Sequence, residues 1–290
     1  MLYLSALLSL LPIAYAALEL HPNTSSTYPF AVHLPLNITT SPPPVILFLH
    51  GSGSKGGVED LGDKTRWDGV GWLISQFDSG NKTGAQAIVA EEYLTILPLL
   101  PEASETWDPA SVLSVLEAVK ELANSNETYL YDESRVHLAG YSIGSFGVWD
   151  TSFFASYPAP FASILPYGGS RGFTPSQLST LATPPQNVSA LSIYAAGGSI
   201  DEKQPASETL ATLSQLNELA PQALSRNWTA QVIEGADHKL MSQQAWFEMD
   251  VWEWLRDQKK QGRNDPEEVD TTIASSKTSS ARRTRRIGWW

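Results

Sequence analysis

The chain has 290 residues, 42% hydrophobic and 17% charged, an ordinary globular balance at a length that one large α/β domain fills. A formal charge of −12 and an isoelectric point near 4.8 oppose nucleic-acid binding by the folded part. With no cysteine, disulfides and thiolate metal sites are excluded, and the fold must rest on its hydrophobic core.

Residues 1–16, MLYLSALLSLLPIAYA, form a short apolar run ending in Ala14-Tyr15-Ala16, the small-x-small pattern of a secretory signal cleaved before Ala17. The run is shorter than a membrane span needs, so no span is expected in the mature protein. Asn23, Asn37, Asn81, Asn126, Asn187 and Asn227 each stand in N-x-[ST], which predicts a secreted, extracellular glycoprotein.

Next comes an alternating strand candidate at 28–36, a proline turn at 41–44, and a continuous apolar run at 45–49 of the kind a central parallel strand carries. It ends in His50-Gly51-Ser52-Gly53. Gly51, Gly53 and Gly56 also spell a dinucleotide fingerprint, but 58–68 does not read as a helix opened by those glycines and no acid-tipped second strand follows. A helix is expected over 67–77 and a strand over 93–97. Asp108 and Pro109 then open the clearest helix, with Val112, Leu116, Val119 and Ala123 on one face.

The short apolar run 136–139 leads into Gly140-Tyr141-Ser142-Ile143-Gly144, a G-x-S-x-G pentapeptide. Such a run also arises in Gly/Ser-rich loops. Here a strand pattern precedes it and a helix pattern, 145–157, follows, which is the context of a nucleophile elbow. A serine on that sharp turn is strained, and side chains two positions either side would collide, hence Gly140 and Gly144. Strands at 161–167, 190–195 and 229–233 and helices at 206–219 and 244–259 continue the alternation. The pattern predicts an α/β fold with a mostly parallel sheet covered on both faces.

With Ser142 as nucleophile, an acid and then a histidine should follow in chain order. Asp201 lies just after the strand LSIYAA and His238 just after QVIEG. The histidine would take and return the serine proton, and the carboxylate would orient it. Glu202 beside Asp201, and Asp237 beside His238, keep the choice of acid open. The N–H groups of Ser52 and Ile143 are the candidate oxyanion hole. His50 is read as holding its loop and His137 as a core residue of its strand; His21 and His33 precede the catalytic region and receive no chemistry.

Over about residues 28 to 260 the chain resembles the α/β-hydrolase superfamily, in particular its phospholipase/carboxylesterase and dienelactone-hydrolase-like group, which includes secreted esterases and predicted peptidases. The resemblance rests on LFLHGSG after the third strand, Pro101-Glu102 and Trp107-Asp108, the elbow GYSIGSFGVW, Asp201 four residues before Pro205, and Gly235 to His238. Two positions depart from it. Ser145 stands where relatives have a second glycine, and Ala195-Ala196-Gly197 replaces a His-Gly before the acid. The resemblance implies an α/β-hydrolase fold and a secreted serine hydrolase cleaving carboxylic esters through an acyl-enzyme, with no cofactor, acting on a small-molecule or polymeric ester. A serine peptidase and an inactive binding protein on the same fold are the alternatives. The organisation expected is a signal peptide over 1–16, a catalytic domain over 17–260, and over 261–290 a disordered tail, acidic, then Ser/Thr-rich, then basic.

Overall fold

The computed structural model describes residues 18–37, 42–155, 159–181, 191–219 and 228–260. The signal segment 1–16, the tail 261–290, Asn187 and Asn227 lie outside the described residues.

Eight strands form one sheet: β1 (Glu19–His21), β2 (Phe30–His33), β3 (Val45–Leu49), β4 (Leu94–Pro98), β5 (Val136–Tyr141), β6 (Ser163–Tyr167), β7 (Ser192–Gly198) and β8 (Trp228–Ile233). Their order is β1-β2-β4-β3-β5-β6-β7-β8. The first two pairings, β1 with β2 and β2 with β4, are antiparallel, and the rest are parallel. Every residue of β3, β4 and β5 is buried, as expected of strands covered on both faces, and this is why their sequences are almost wholly apolar, with Thr95 in β4 and His137 in β5 as the polar exceptions.

The two faces can be read from period-two alternation. Val45, Leu47 and Leu49 enter one core cluster, and Ile46 and Phe48 the other. The first face is covered by α4 (Pro109–Ser125), through Val112, Val115 and Val119, and by α8 (Ala206–Leu219), through Leu213 and Leu216. On the opposite face lie α2 (Gly69–Asp78), α3 (Gly84–Glu92) and α10 (Met249–Arg256), contributing Val70, Leu73, Val89, Trp252 and Leu255. The remaining helices are α1 (Leu61–Lys64), α5 (Ile143–Val148), α6 (Thr151–Ala155), α7 (Pro175–Leu181) and α9 (His238–Gln243). Since β3, β5, β7 and β8 point the same way, the loops that follow them gather at one sheet edge, where ligands of open α/β sheets bind.

Several boundaries differ from the sequence expectation. The strand expected over 28–36 shortens to Phe30–His33 because Pro29 and Pro35 flank it and cannot donate to a ladder. The single helix expected over 145–157 begins at Ile143 and breaks after Val148; Asp150 Oδ1 accepts from the Ser152 N–H (2.9 Å) and opens α6. The closing helix over 244–259 is a 3₁₀ turn, Gln244–Phe247, followed by α10, with Trp252 Nε1–H donating to the Trp246 carbonyl (3.0 Å) across the break. β1, α1, α3, α7 and α9 have no counterpart among the elements expected from the sequence.

Candidate active site

β5 delivers Ser142 in a conformation rare for a residue with a side chain. At φ 55° and ψ −116° it is the only positive-φ non-glycine among the described residues. Such a backbone costs about 1–3 kcal/mol and persists only where the surroundings hold it. The Ser142 N–H donates to the Tyr167 carbonyl (3.0 Å), and the Ser142 carbonyl accepts from Phe146 N–H (3.1 Å). Both flanking glycines are required. A Cβ on Gly140 would lie 2.5 Å from the Gly144 oxygen, and one on Gly144 would lie 1.9 Å from the Leu49 oxygen, so the second obstacle is strand β3 rather than the other glycine.

Ser145, which replaces a glycine of the resembled pattern, is fully buried and its hydroxyl donates to the Gly169 carbonyl (2.6 Å). Trp149 Nε1–H donates to the same oxygen (3.2 Å). This pair ties the loop after β6 to the helix that opens at Ile143.

The three residues expected at 142, 201 and 238 come together. His238 Nε2 is 3.0 Å from Ser142 Oγ, and His238 Nδ1 is 2.8 Å from Asp201 Oδ2. The other oxygen of Asp201 accepts from the N–H groups of Lys203 (2.9 Å) and Gln204 (2.8 Å). A carboxylate so placed only accepts, so the imidazole proton belongs on Nδ1 and the Nε2 lone pair faces the serine hydroxyl. Neither rival acid faces the ring. Asp237 is the N-cap of α9, its Oδ1 accepting from Leu240 N–H (2.8 Å), and Glu202 is exposed.

A residue of the pentapeptide to which the sequence gives no role anchors the histidine. The Tyr141 hydroxyl donates to the His238 carbonyl (2.6 Å), and the two rings lie 5.1 Å apart. Burial, reinforced by the negative charges of Asp68, Asp201 and Asp237, raises the phenol's pKa, so it stays a donor.

The loop after β3 is held from several sides. His50 Nε2 accepts from Leu100 N–H (3.0 Å), which leaves the proton on Nδ1 to donate to the Gly51 carbonyl (2.7 Å). Burial lowers this imidazole to about 4, so it is neutral, a loop-holding residue as expected. Trp107 Nε1–H donates to the His50 carbonyl (3.2 Å), and Ser54 N–H to the Gly51 carbonyl (3.1 Å). Asp68 Oδ2 accepts from the Gly51 N–H (3.0 Å) and from the Ser54 hydroxyl (2.7 Å). Ser52 is exposed at the head of this turn, and Ile143 is the first residue of α5, where a backbone N–H has no partner within its helix.

His137 is buried in β5, with Nδ1 2.8 Å from Ser163 Oγ, a core residue as expected. A cleft of about 500 Å³ between α1, α2 and α9, with Trp67, Trp72 and Gln243 on its walls, also includes Asp68, while Ser142 and His238 lie outside it. No group of three or more His, Asp or Glu among the described residues is placed to hold a metal ion.

No family model and no curated protein matches the sequence. Solved structures do share its fold. A thermostable esterase aligns at TM-score 0.56 with 18% identity, covering 80% of this chain and 59% of the esterase. The S-formylglutathione hydrolase FrmB of Staphylococcus aureus aligns at 0.52 with 14% identity, over 78% of this chain and 90% of that one. The acylaminoacyl peptidase of Pyrococcus horikoshii aligns at 0.51 with 14% identity, over 83% of this chain and 42% of the peptidase. This chain therefore spans less than two thirds of the esterase and of the peptidase. With an eight-stranded, mostly parallel sheet, helices on both faces and the turn at Ser142 leaving a central strand, the chain has the α/β-hydrolase fold.

Proposed function

We propose that the protein is a serine hydrolase that cleaves carboxylic esters through an acyl-enzyme. The observation that carries this reading is the unbroken hydrogen-bonded line from Asp201 through His238 to Ser142, ending on a serine held at positive φ. Ser142 Oγ attacks the ester carbonyl carbon while His238 Nε2 takes its proton, and Asp201 keeps Nδ1–H oriented and stabilises the imidazolium. The carbonyl oxygen becomes an oxyanion, for which the Ser52 and Ile143 N–H groups are the assigned donors. The bond to the alcohol oxygen breaks as His238 returns the proton to it, leaving Ser142 acylated. Water then attacks the acyl carbon, giving its proton to His238; the acid departs and Ser142 recovers its hydroxyl. These steps need no cofactor.

The same Ser-His-Asp line serves ester and amide cleavage alike, and the test separates the two. The test is turnover of p-nitrophenyl esters and peptide p-nitroanilides, together with labelling by a fluorophosphonate. The native chain should turn over the esters and take up the label. Ser142→Ala should lose both while keeping its fold. Full turnover in that variant would overturn the proposal, and faster anilide than ester hydrolysis would make the protein a peptidase.

The proposal extends to export, with residues 1–16 as a signal and Ala17 as the mature N-terminus. Asn23, Asn37, Asn81 and Asn126 are all exposed, which supports glycan attachment there. No helix among the described residues is long and apolar enough to cross a membrane. The substrate in this reading is an extracellular ester, small or polymeric.

A further inference from the structure

Asp68 is at the N-cap position of α2, where an aspartate ordinarily accepts from its own helix, yet its side chain makes no cap hydrogen bond. It reaches instead across 17 residues to Gly51 N–H (3.0 Å) and across 14 to the Ser54 hydroxyl (2.7 Å), both on one oxygen. The next residue, Gly69, has φ +50°, and a Cβ there would lie 2.2 Å from the Phe48 ring, so the chain turns as only glycine permits. Burial raises the Asp68 carboxyl above its ordinary value against the pull of these two hydrogen bonds and of the charge of His238, so the group sits where a carboxylate is disfavoured. Local helix stability does not account for this placement.

The consequence concerns one peptide plane. The Gly51 carbonyl accepts from His50 Nδ1–H and from Ser54 N–H, and in a trans peptide the Ser52 N–H points opposite to that carbonyl. Asp68 holds the residue on one side of the plane by its N–H and the end of the turn on the other by its hydroxyl. Turning the plane over would break the two bonds to the Gly51 carbonyl, and the clamp at Asp68 opposes that movement.

Resting on the serine-hydrolase reading, we propose that Asp68 is a positioning residue that clamps the Gly51–Ser54 turn and so presents the Ser52 N–H to the oxyanion. It touches no reacting atom and acts through the loop. Asp68→Ala and Asp68→Asn in the full-length protein test it, with p-nitrophenyl acetate as the probe. Asp68→Ala should lower kcat about 10²-fold, as loss of one oxyanion donor does, with KM moving less than about 3-fold. Its fluorophosphonate labelling should still reach the native stoichiometry, so the loss would not be a misfolded fraction. An asparagine oxygen can accept both bonds, so Asp68→Asn should remain within about 5-fold of the native kcat. A native kcat in Asp68→Ala, or an Asn variant as damaged as the Ala variant, overturns the inference. Should Asp68→Ala fail to fold, Ser54→Ala takes its place; removing one of the two clamp bonds should lower kcat about 10-fold, and an unchanged kcat overturns the proposal. Ser142→Ala run alongside separates the two claims. An active Ser142→Ala protein defeats the serine reading, whereas an inactive one beside a fully active Asp68→Ala protein defeats the clamp alone.

Discussion

At the scale of single residues, three acids compete in the sequence for one histidine, and their hydrogen bonds separate them. Asp237 is occupied as a helix cap, Glu202 faces solvent, and Asp201 is buried with both oxygens engaged. In the proposed enzyme, Asp201→Asn would turn an amide toward Nδ1 and favour the wrong tautomer, lowering kcat on the order of 10⁴-fold. Glu202→Gln should leave kcat nearly unchanged, and Asp237→Asn likewise because asparagine also caps. Steady-state kinetics on the three purified variants check this, and an equal loss in Glu202→Gln would sink the assignment of Asp201. The glycines at 140 and 144 and the serine between them are legible in the sequence because a tight turn is a local constraint. Tyr141 and Asp68 are not legible. Their hydrogen bonds run 97 and 17 residues along the chain; Tyr141 fills a position of the pentapeptide that any residue can take, and Asp68 stands in no motif.

At the scale of elements, helices with local start signals were the easiest to read. Asp108 caps α4 as expected, its Oδ2 accepting from Ser111 N–H (2.8 Å) with Pro109 in the first turn. Asp108→Ala should therefore destabilise folding by about 1 kcal/mol, seen as a lower urea midpoint. Turnover of a p-nitrophenyl ester at 25 °C should not change, since the Asp108 side chain bonds only to Ser111 of its own helix. A midpoint equal to that of the native protein would show that the cap contributes nothing. The splits at Asp150 and at Phe247 are not visible in the periodicity because apolar residues keep a helical spacing across both breaks, and the hydrogen bonds that mark them, two and six residues along the chain, leave that spacing unchanged. β1 was missed for a different reason. Three half-exposed residues carry too little alternation to register, and the strand exists because it pairs with β2.

At the scale of the whole molecule, three buried histidines link stability to pH; burial lowers His33 as well as His50 and His137. Burial lowers His50 to about 4 and His137 to about 3, so both are neutral in the folded protein. Between those values and the ordinary 6.5 the unfolded chain binds more protons, so their contribution is complete above pH 6.5 and is lost as pH falls through that window. From pH 7 to pH 5 each should cost on the order of 2 kcal/mol, at 1.36 kcal/mol per unit. Asp68, whose carboxyl is raised by burial, works in the opposite direction. Urea midpoints at the two pH values check the sign, and a midpoint that is higher at pH 5 would contradict it. The proposed export is tested on the same scale. In a eukaryotic secretory host the protein should reach the medium beginning at Ala17, and N-glycosidase should lower its mass. Retention in the cell with residues 1–16 intact would defeat the signal-peptide proposal.

The apolar runs at β3, β4 and β5, the strand-helix alternation and the G-x-S-x-G turn are sufficient by themselves to specify a mostly parallel α/β sheet with Ser142 at its C-terminal edge. They suffice because burial on both faces demands continuous apolar strands, and because a sharp turn between strand and helix demands glycine at fixed spacing. Tertiary structure decided which acid meets His238, what holds the Gly51–Ser52 peptide, and why a serine suits position 145. Each depends on where a polar group from a distant segment finds its hydrogen-bond partner, Asp201 for the histidine, Asp68 for the loop and the Gly169 carbonyl for Ser145. Periodicity records which residues are buried, but it carries no information on which buried polar atoms face one another.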